Sequence, residues 1–183
     1  GVLAQLKPDM VLVQGDTTTT FAGALAAFYA RVPVAHVEAG LRTGDPAEPF
    51  PEEMNRVLTS RLSCLHFAPT ERARRALLKE LIPSEHIAVT GNTGIDALLH
   101  VRDGIECGSL RGEALPVIDI SKKLLLVTAH RRESFGEGMV NICQALAELA
   151  QRPDVEIVFP VHPNPNVLAI VDKALDRMPN IHL

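Results

Sequence analysis

Short, continuous apolar runs punctuate this chain: MVLVQG at 10–15, VPVAHVEAG at 32–40, CLHFAP at 64–69, HIAVTGN at 86–92, KLLLVTA at 123–129 and VEIVFPVH at 155–162. Runs of this length without polar alternation are strands buried on both faces, which is the condition of a parallel sheet. Between them the period changes to that of helices: 17–31, Pro51 through about Ser63, 70–80, a short helix around 95–102, then 137–151 and 166–177. The chain opens at 1–5 as if on the tail of a helix, and IHL at its end reads as one more strand. Strands alternating with helices at short intervals predict α/β architecture with right-handed crossovers.

From Asp103 to Ser121 the periodicity fades, with Gly104, Gly108, Gly112 and Pro116 interrupting it. A division follows: 1–104 in a first parallel-sheet domain, 105–121 as a junction, and 122–183 in a second. With 183 residues, nearly half of them apolar, there is material for such cores.

The net charge of −4 without a Lys/Arg block argues against nucleic acid as a partner, because neutralising phosphates needs clustered cations. Cys64, Cys107 and Cys143 are far apart and lack CxxC spacing, so they read as reduced thiols and give neither a disulfide framework nor a zinc cage. No apolar run approaches the roughly 20 residues that span a bilayer, so no membrane association is expected and the default location is cytoplasmic.

Chemistry concentrates where the strands end. Asp16 follows the first run, Glu38 the second and His130 the fifth, and ligands of open α/β sheets bind outside those carboxyl ends. Asp16 before four threonines also fits a helix N-cap. Glu38 is either partnered, for instance by Arg42, or held at a cleft, and its strand-end position favours the cleft. Glu52 and Glu53 follow Pro51 in a helix's first turn, where negative charge opposes the macrodipole; for Glu53 that structural role suffices. Glu52 and Arg56, four apart, form a surface ion pair or jointly face a ligand. His130-Arg131-Arg132, with Gly136 and Gly138 near the next helix start, suits phosphate, though short basic loops are commonly just solvated. His162 in PVHPNPN is a turn histidine or a ligand contact. No Walker or dinucleotide fingerprint occurs.

The strings QGDTTTT, HVEAGLRTGD, PFPEEMNR, HFAPTE, TGNTGIDAL, TAHRRESFG and PVHPNPNV, collinear over nearly the whole chain, resemble the UDP-N-acetylglucosamine 2-epimerase family, in its bacterial non-hydrolysing branch. The resemblance implies two Rossmann-like, doubly wound domains in a GT-B-like arrangement with the nucleotide sugar between them. It also implies interconversion of UDP-GlcNAc and UDP-ManNAc by elimination of UDP to 2-acetamidoglucal and re-addition, with no metal or redox cofactor. By motif, Asp16, Glu38 and Glu52 correspond to the catalytic carboxylates, and His130 to the histidine beside the diphosphate, assisted by Arg56. Arg131 and His162 correspond to residues lining a second, activating UDP-GlcNAc site. A homodimer is implied for the full-length enzyme.

The family's Gly-Thr-Arg-Pro-Glu loop and its later Ser-Gly-Gly segment have no counterpart here. The resemblance is therefore to a middle portion with both domains incomplete, expected in isolation to be inactive and aggregation-prone. Two other functions fit the same strings: the hydrolysing branch, which releases ManNAc and UDP, and a non-catalytic nucleotide-sugar-binding module. The set His130-Arg131-Arg132-Glu133 with His162 favours the non-hydrolysing branch.

Overall fold

A computed structural model describes residues 1–112, 118–129 and 136–183. The chain divides into two compact units, Gly1–Arg111 and Gly112–Leu183. Both are parallel α/β structures, as the alternation of apolar runs and helical periods predicts.

The first unit begins with α1 (Val2–Leu6) and continues β1 (Val11–Gln14), α2 (Thr18–Tyr29), β2 (Val34–Val37), α3 (Glu52–Leu62), β3 (Leu65–Ala68), α4 (Glu71–Lys79), β4 (Ile87–Val89) and α5 (Thr93–Glu106). Its strands lie side by side in chain order, all parallel, with Val13 opposite His36 and His36 opposite His66. Sequential order with right-handed crossovers sends α2, α3 and α4 to one face of the sheet.

Local chemistry sets the helix starts. Thr17 caps α2 by accepting the Thr20 N–H at 3.2 Å, and Thr70 caps α4 by accepting the Ala73 N–H at 3.1 Å. Asp16 is therefore not the cap of α2, and its carboxylate is left for other partners. Small residues let α2 settle close to β1 and β2: Ala24 and Ala27 are fully buried beside Val13 and Val34. A second cluster joins Ala39, Ala68, Ala73, Leu77, Ile82 and Ile87. Burying a side chain such as Leu77 contributes about 1.5–3 kcal/mol. Beyond β2 the chain passes under α4 at Gly40, where φ is +88° and a Cβ would overlap the Ala73 carbonyl. Only glycine fits that crossing.

Helix α5 is longer than the sequence period predicts, running past 102 to Glu106. Gly104 does not break it. The missing side chain makes room for Leu110, which folds back so that its N–H donates to the Gly104 carbonyl at 2.9 Å.

The second unit contains β5 (Lys123–Leu126), α6 (Glu137–Leu149), β6 (Val155–Val158), α7 (Pro165–Leu175) and β7 (Ile181–His182), with strand order β5-β6-β7 and all pairings parallel. Asn164 caps α7 and Pro165 occupies its first turn. The core is apolar: Met139, Cys143, Ile157, Phe159, Val171 and Leu175 are all at most 1% exposed. Glu156 on β6 is its buried charge, held by Lys122 Nζ at 3.0 Å and His182 Nε2 at 2.7 Å. Among the described residues no helix is long and apolar enough to cross a membrane.

Candidate active site

The carboxyl ends of β1 and β2 are adjacent, so the residues that leave them are brought together by register. Gly15 continues the ladder, its N–H donating to Val37 O at 3.0 Å, and then turns with φ +76°. Asp16 follows. Its carboxylate receives Arg56 Nη2 at 3.0 Å, and its carbonyl accepts the Asn55 Nδ2 hydrogen bond at 3.0 Å. Both partners lie on α3, so that helix grips the β1–α2 turn.

Glu38 leaves β2 with φ +65°, in the left-handed region. For a residue with a Cβ this costs roughly 1–3 kcal/mol and persists only where neighbours over-determine it. They do so here: Val37 is paired to Gln14 and Gly15, Ala39 N donates to Phe67 O at 3.1 Å, and Gly40 is wedged beneath α4. The strained backbone aims the side chain at the neighbouring strand end, where a Cβ placed on Gly15 would lie 3.9 Å from Glu38 Oε2. Arg42 does not pair with Glu38. Its guanidinium donates to Glu80 through Nε at 2.6 Å and Nη2 at 3.1 Å, and to Ser60 Oγ at 3.0 Å. Among the described residues the Glu38 carboxylate has no hydrogen bond or ion pair.

Neighbouring glutamates at the start of α3 have opposite environments. Glu53 is 3% exposed, and its Oε1 accepts the backbone N–H groups of Thr43 and Gly44, each at 3.1 Å. Its Oε2 makes an ionic contact with Arg56 Nε at 3.4 Å. Glu53 is thus a clasp for the loop after β2, a more specific role than opposing a dipole. Glu52 is half-buried, and its carboxylate has no partner among the described residues. Arg56 approaches only the Glu52 backbone carbonyl, at 3.4 Å, so the pairing that their spacing allows does not form. Arg56 instead lies, 9% exposed, between Asp16 and Glu53.

Beneath these groups the sheet buries two facing histidines. His36 Nε2 lies 2.7 Å from the Gly15 carbonyl. Burial lowers the pKa of His36 and pushes His66 down to about 4, with the charge of His36 adding to the effect on His66. Sequence reading passed over His36 and Asn55. The signal for His36 was an imidazole within an otherwise apolar run, which asks for a buried partner. Asn55 carried no such signal, since its partner is 39 residues away.

In the second unit His162 is exposed and accepts the Asn164 N–H at Nδ1, 3.2 Å, in the turn that starts α7. His130 and Arg131 lie outside the described residues. Just beyond them in the chain, Gly136 occupies the N-cap position of α6 and has no side chain with which to cap the helix. Such a helix start suits an anion. A cavity of about 700 Å³ between the 42–46 loop, α3 and α4 is lined by Arg42, Glu53, Arg72 and Lys79 but by none of Asp16, Glu38 and Glu52. Its free cations are the solvated face of amphipathic α4. Among the described residues no three His, Cys, Asp or Glu side chains are grouped to hold a metal ion.

The sequence profile of UDP-N-acetylglucosamine 2-epimerase matches residues 1–183. The UDP-N-acetylglucosamine 2-epimerase of Salmonella typhimurium is 56% identical over 187 aligned residues, taking in 100% of this chain and 50% of that protein. Among solved structures, the Neisseria meningitidis UDP-GlcNAc 2-epimerase bound to UDP-GlcNAc superposes with a TM-score of 0.93 at 50% identity, covering 100% of this chain and 50% of that one. The Methanocaldococcus jannaschii enzyme in complex with UDP-GlcNAc and UDP gives a TM-score of 0.76 at 38% identity, over 99% of this chain and 50% of that one. The chain spans about half the length of the curated relatives it matches. A profile match from the first residue to the last, joined to this identity and superposition, means that the chain belongs to the UDP-N-acetylglucosamine 2-epimerase family.

Proposed function

We propose that the protein carrying this chain is a non-hydrolysing UDP-GlcNAc 2-epimerase, interconverting UDP-GlcNAc and UDP-ManNAc. The observation that supports it most is the pair of carboxylates, Glu38 and Glu52, that have no partner among the described residues, together with an Asp16 that is held from α3. Inverting C2 requires a proton to leave one face of the sugar and another to arrive on the opposite face. As the C2–H bond is broken by a carboxylate base, its electron pair forms the C1–C2 double bond and the C1–O bond to UDP breaks. 2-Acetamidoglucal and UDP result. Re-addition of UDP at C1 with protonation on the other face of C2 completes the inversion. Groups with unoccupied oxygens are suited to accept and return those protons. Asp16, whose carboxylate is engaged by Arg56, is suited to orientation.

Departure of UDP places negative charge on the diphosphate, and a cation there is worth most as that charge develops. We assign His130 to this place, with Arg56 supporting through Asp16, and Arg131 and His162 to a second, activating UDP-GlcNAc. A helix start whose N-cap is a glycine, six positions after His130 in the chain, is compatible with an anion there. UDP-GlcNAc and UDP are ligands of the solved relatives, which supports the same ligands here. A homodimer belongs to the same proposal and is checked by light scattering on the whole protein.

Incubation with UDP-GlcNAc in D₂O tests the route. UDP-ManNAc and deuterium at C2 of recovered UDP-sugar are expected. Free ManNAc in place of UDP-ManNAc would assign the hydrolysing branch, and C2 without deuterium would remove the elimination route altogether.

A further inference from the structure

The first unit buries two imidazoles whose positions the proton chemistry does not explain, and one of them, His36, reaches the strand ends. His36 sits on β2, fully buried, in register between Val13 of β1 and His66 of β3. An apolar side chain would fill the same place at no polar cost. The Gly15 carbonyl can only accept, so His36 is the donor and carries its proton on Nε2. Its Nδ1 is then a bare acceptor, buried without a hydrogen bond among the described residues, which is a cost to the fold. A sheet that tolerates such a defect is holding that single donor bond to Gly15.

Gly15 is the point from which both strand-end carboxylates are set. Its N–H is bound to Val37 and its carbonyl to His36, so β2 fixes both polar groups of the residue that precedes Asp16. The same glycine faces Glu38, whose Oε2 lies 3.9 Å from where a Cβ would stand. Thr20 Oγ1, donating to Gln14 O at 2.6 Å, holds the preceding carbonyl.

We propose that His36 is a positioning residue: through its Nε2–H bond to the Gly15 carbonyl it locks the turn that lies beside the carboxylate of Glu38 and carries Asp16. The inference rests on the assignment of those two carboxylates to the reaction. Misplacement of a reacting group by about 1 Å costs on the order of 10²-fold in rate, so the clamp is felt in turnover.

Two variants of the whole protein separate donor from packing. His36→Leu keeps an apolar filler of comparable bulk and removes the donor; His36→Gln keeps an N–H at the reach of Nε2. His36→Leu is expected to lower kcat by about 10- to 100-fold with KM for UDP-GlcNAc changed by less than about twofold, while His36→Gln stays within about threefold of the parent. Hydrogen exchange of the 15–17 amides, read without substrate, is expected to accelerate in His36→Leu and to be restored in His36→Gln. Should His36→Leu not fold, His36→Asn, whose amide stops short of Gly15, takes its place. Unchanged kcat in the donor-less variant, or equal loss in His36→Gln with its fold intact, would overturn the proposal. If the parent itself places no deuterium at C2, the epimerase assignment fails separately, and the exchange pattern still decides whether the clamp exists.

Discussion

The two units bury different things. The first takes Thr20, His36, Glu53, Asn55, Arg56, Thr59, Ser60 and His66 out of water; among the described residues of the second, Glu156 is the buried polar side chain. Both rest on parallel sheets, so the contrast does not come from architecture. In the first unit the buried polar groups run from the sheet through α3 to the strand ends, and several of them end on Asp16, Gly15 or the loop after β2. The second unit keeps an apolar core, and among its described residues the buried charge belongs to one network tying Lys122 and His182 to β6. Buried polarity costs stability unless each group finds a partner, and it collects where side chains must be held in one geometry.

The contrast can be broken first at the apolar core. Phe159→Ala is expected to cost about 3–5 kcal/mol, seen as a lower denaturant midpoint. A loss below about 1 kcal/mol would mean that the second unit does not depend on its core. At the strand ends the signature reverses, with rate lost and, at Glu38 and Glu52, stability kept. Asp16→Asn, Glu38→Gln and Glu52→Gln are each expected to lower kcat by about 10²-fold or more in the whole protein, with unchanged melting for Glu38→Gln and Glu52→Gln and a lowered melting temperature for Asp16→Asn, which also weakens the ion pair to the buried Arg56. Near-parental turnover in all three would remove the carboxylates from the chemistry.

Adjacent glutamates sharpen the comparison within one helical turn. Glu53→Gln weakens the acceptor of two backbone N–H groups and leaves Arg56 with Asp16 alone, so a loss of about 1–3 kcal/mol is expected. Glu52→Gln should stay within about 0.5 kcal/mol of the parent. Equal melting of the two variants would erase the distinction between clasp and site.

The smallest effect is on pH dependence. His66 stays neutral in the folded chain down to about pH 4 and titrates near 6.5 when unfolded. Between those values the unfolded chain binds the extra proton, so stability falls as pH drops from about 6.5 to about 4. His66→Leu should flatten the fall in melting temperature between pH 7 and pH 5. An unchanged slope would mean that His66 does not titrate as its burial requires.

Much of the frame was legible in the chain because burial on both faces leaves a continuous apolar run, and because Thr17 and Thr70 mark where helices begin. Asp16 and Glu38 were visible as acids at the ends of such runs. Their environments were not. Arg42 finds Glu80 and Arg56 finds Asp16 across 38 and 40 positions respectively, separations that no local spacing reveals. The left-handed backbone of Glu38 depends on Phe67 and Ala73, which arrive from later strands and helices. Gly104 looked like an interruption because its use, room for Leu110, lies six residues on.

The backbone of Glu38 has a consequence for how this position can change. Glycine is the residue that its φ of +65° favours, and glycine has no carboxylate. Aspartate tolerates this region and keeps a carboxylate, but one methylene shorter, so a relaxed main chain at 38 removes or retracts the group held there; if Glu38 acts as proposed, selection for stability and selection for turnover pull in opposite directions at this site. A lineage freed from the need for turnover would be expected to drift toward glycine or asparagine at this position, and a retained glutamate would mark a sequence still under catalytic selection.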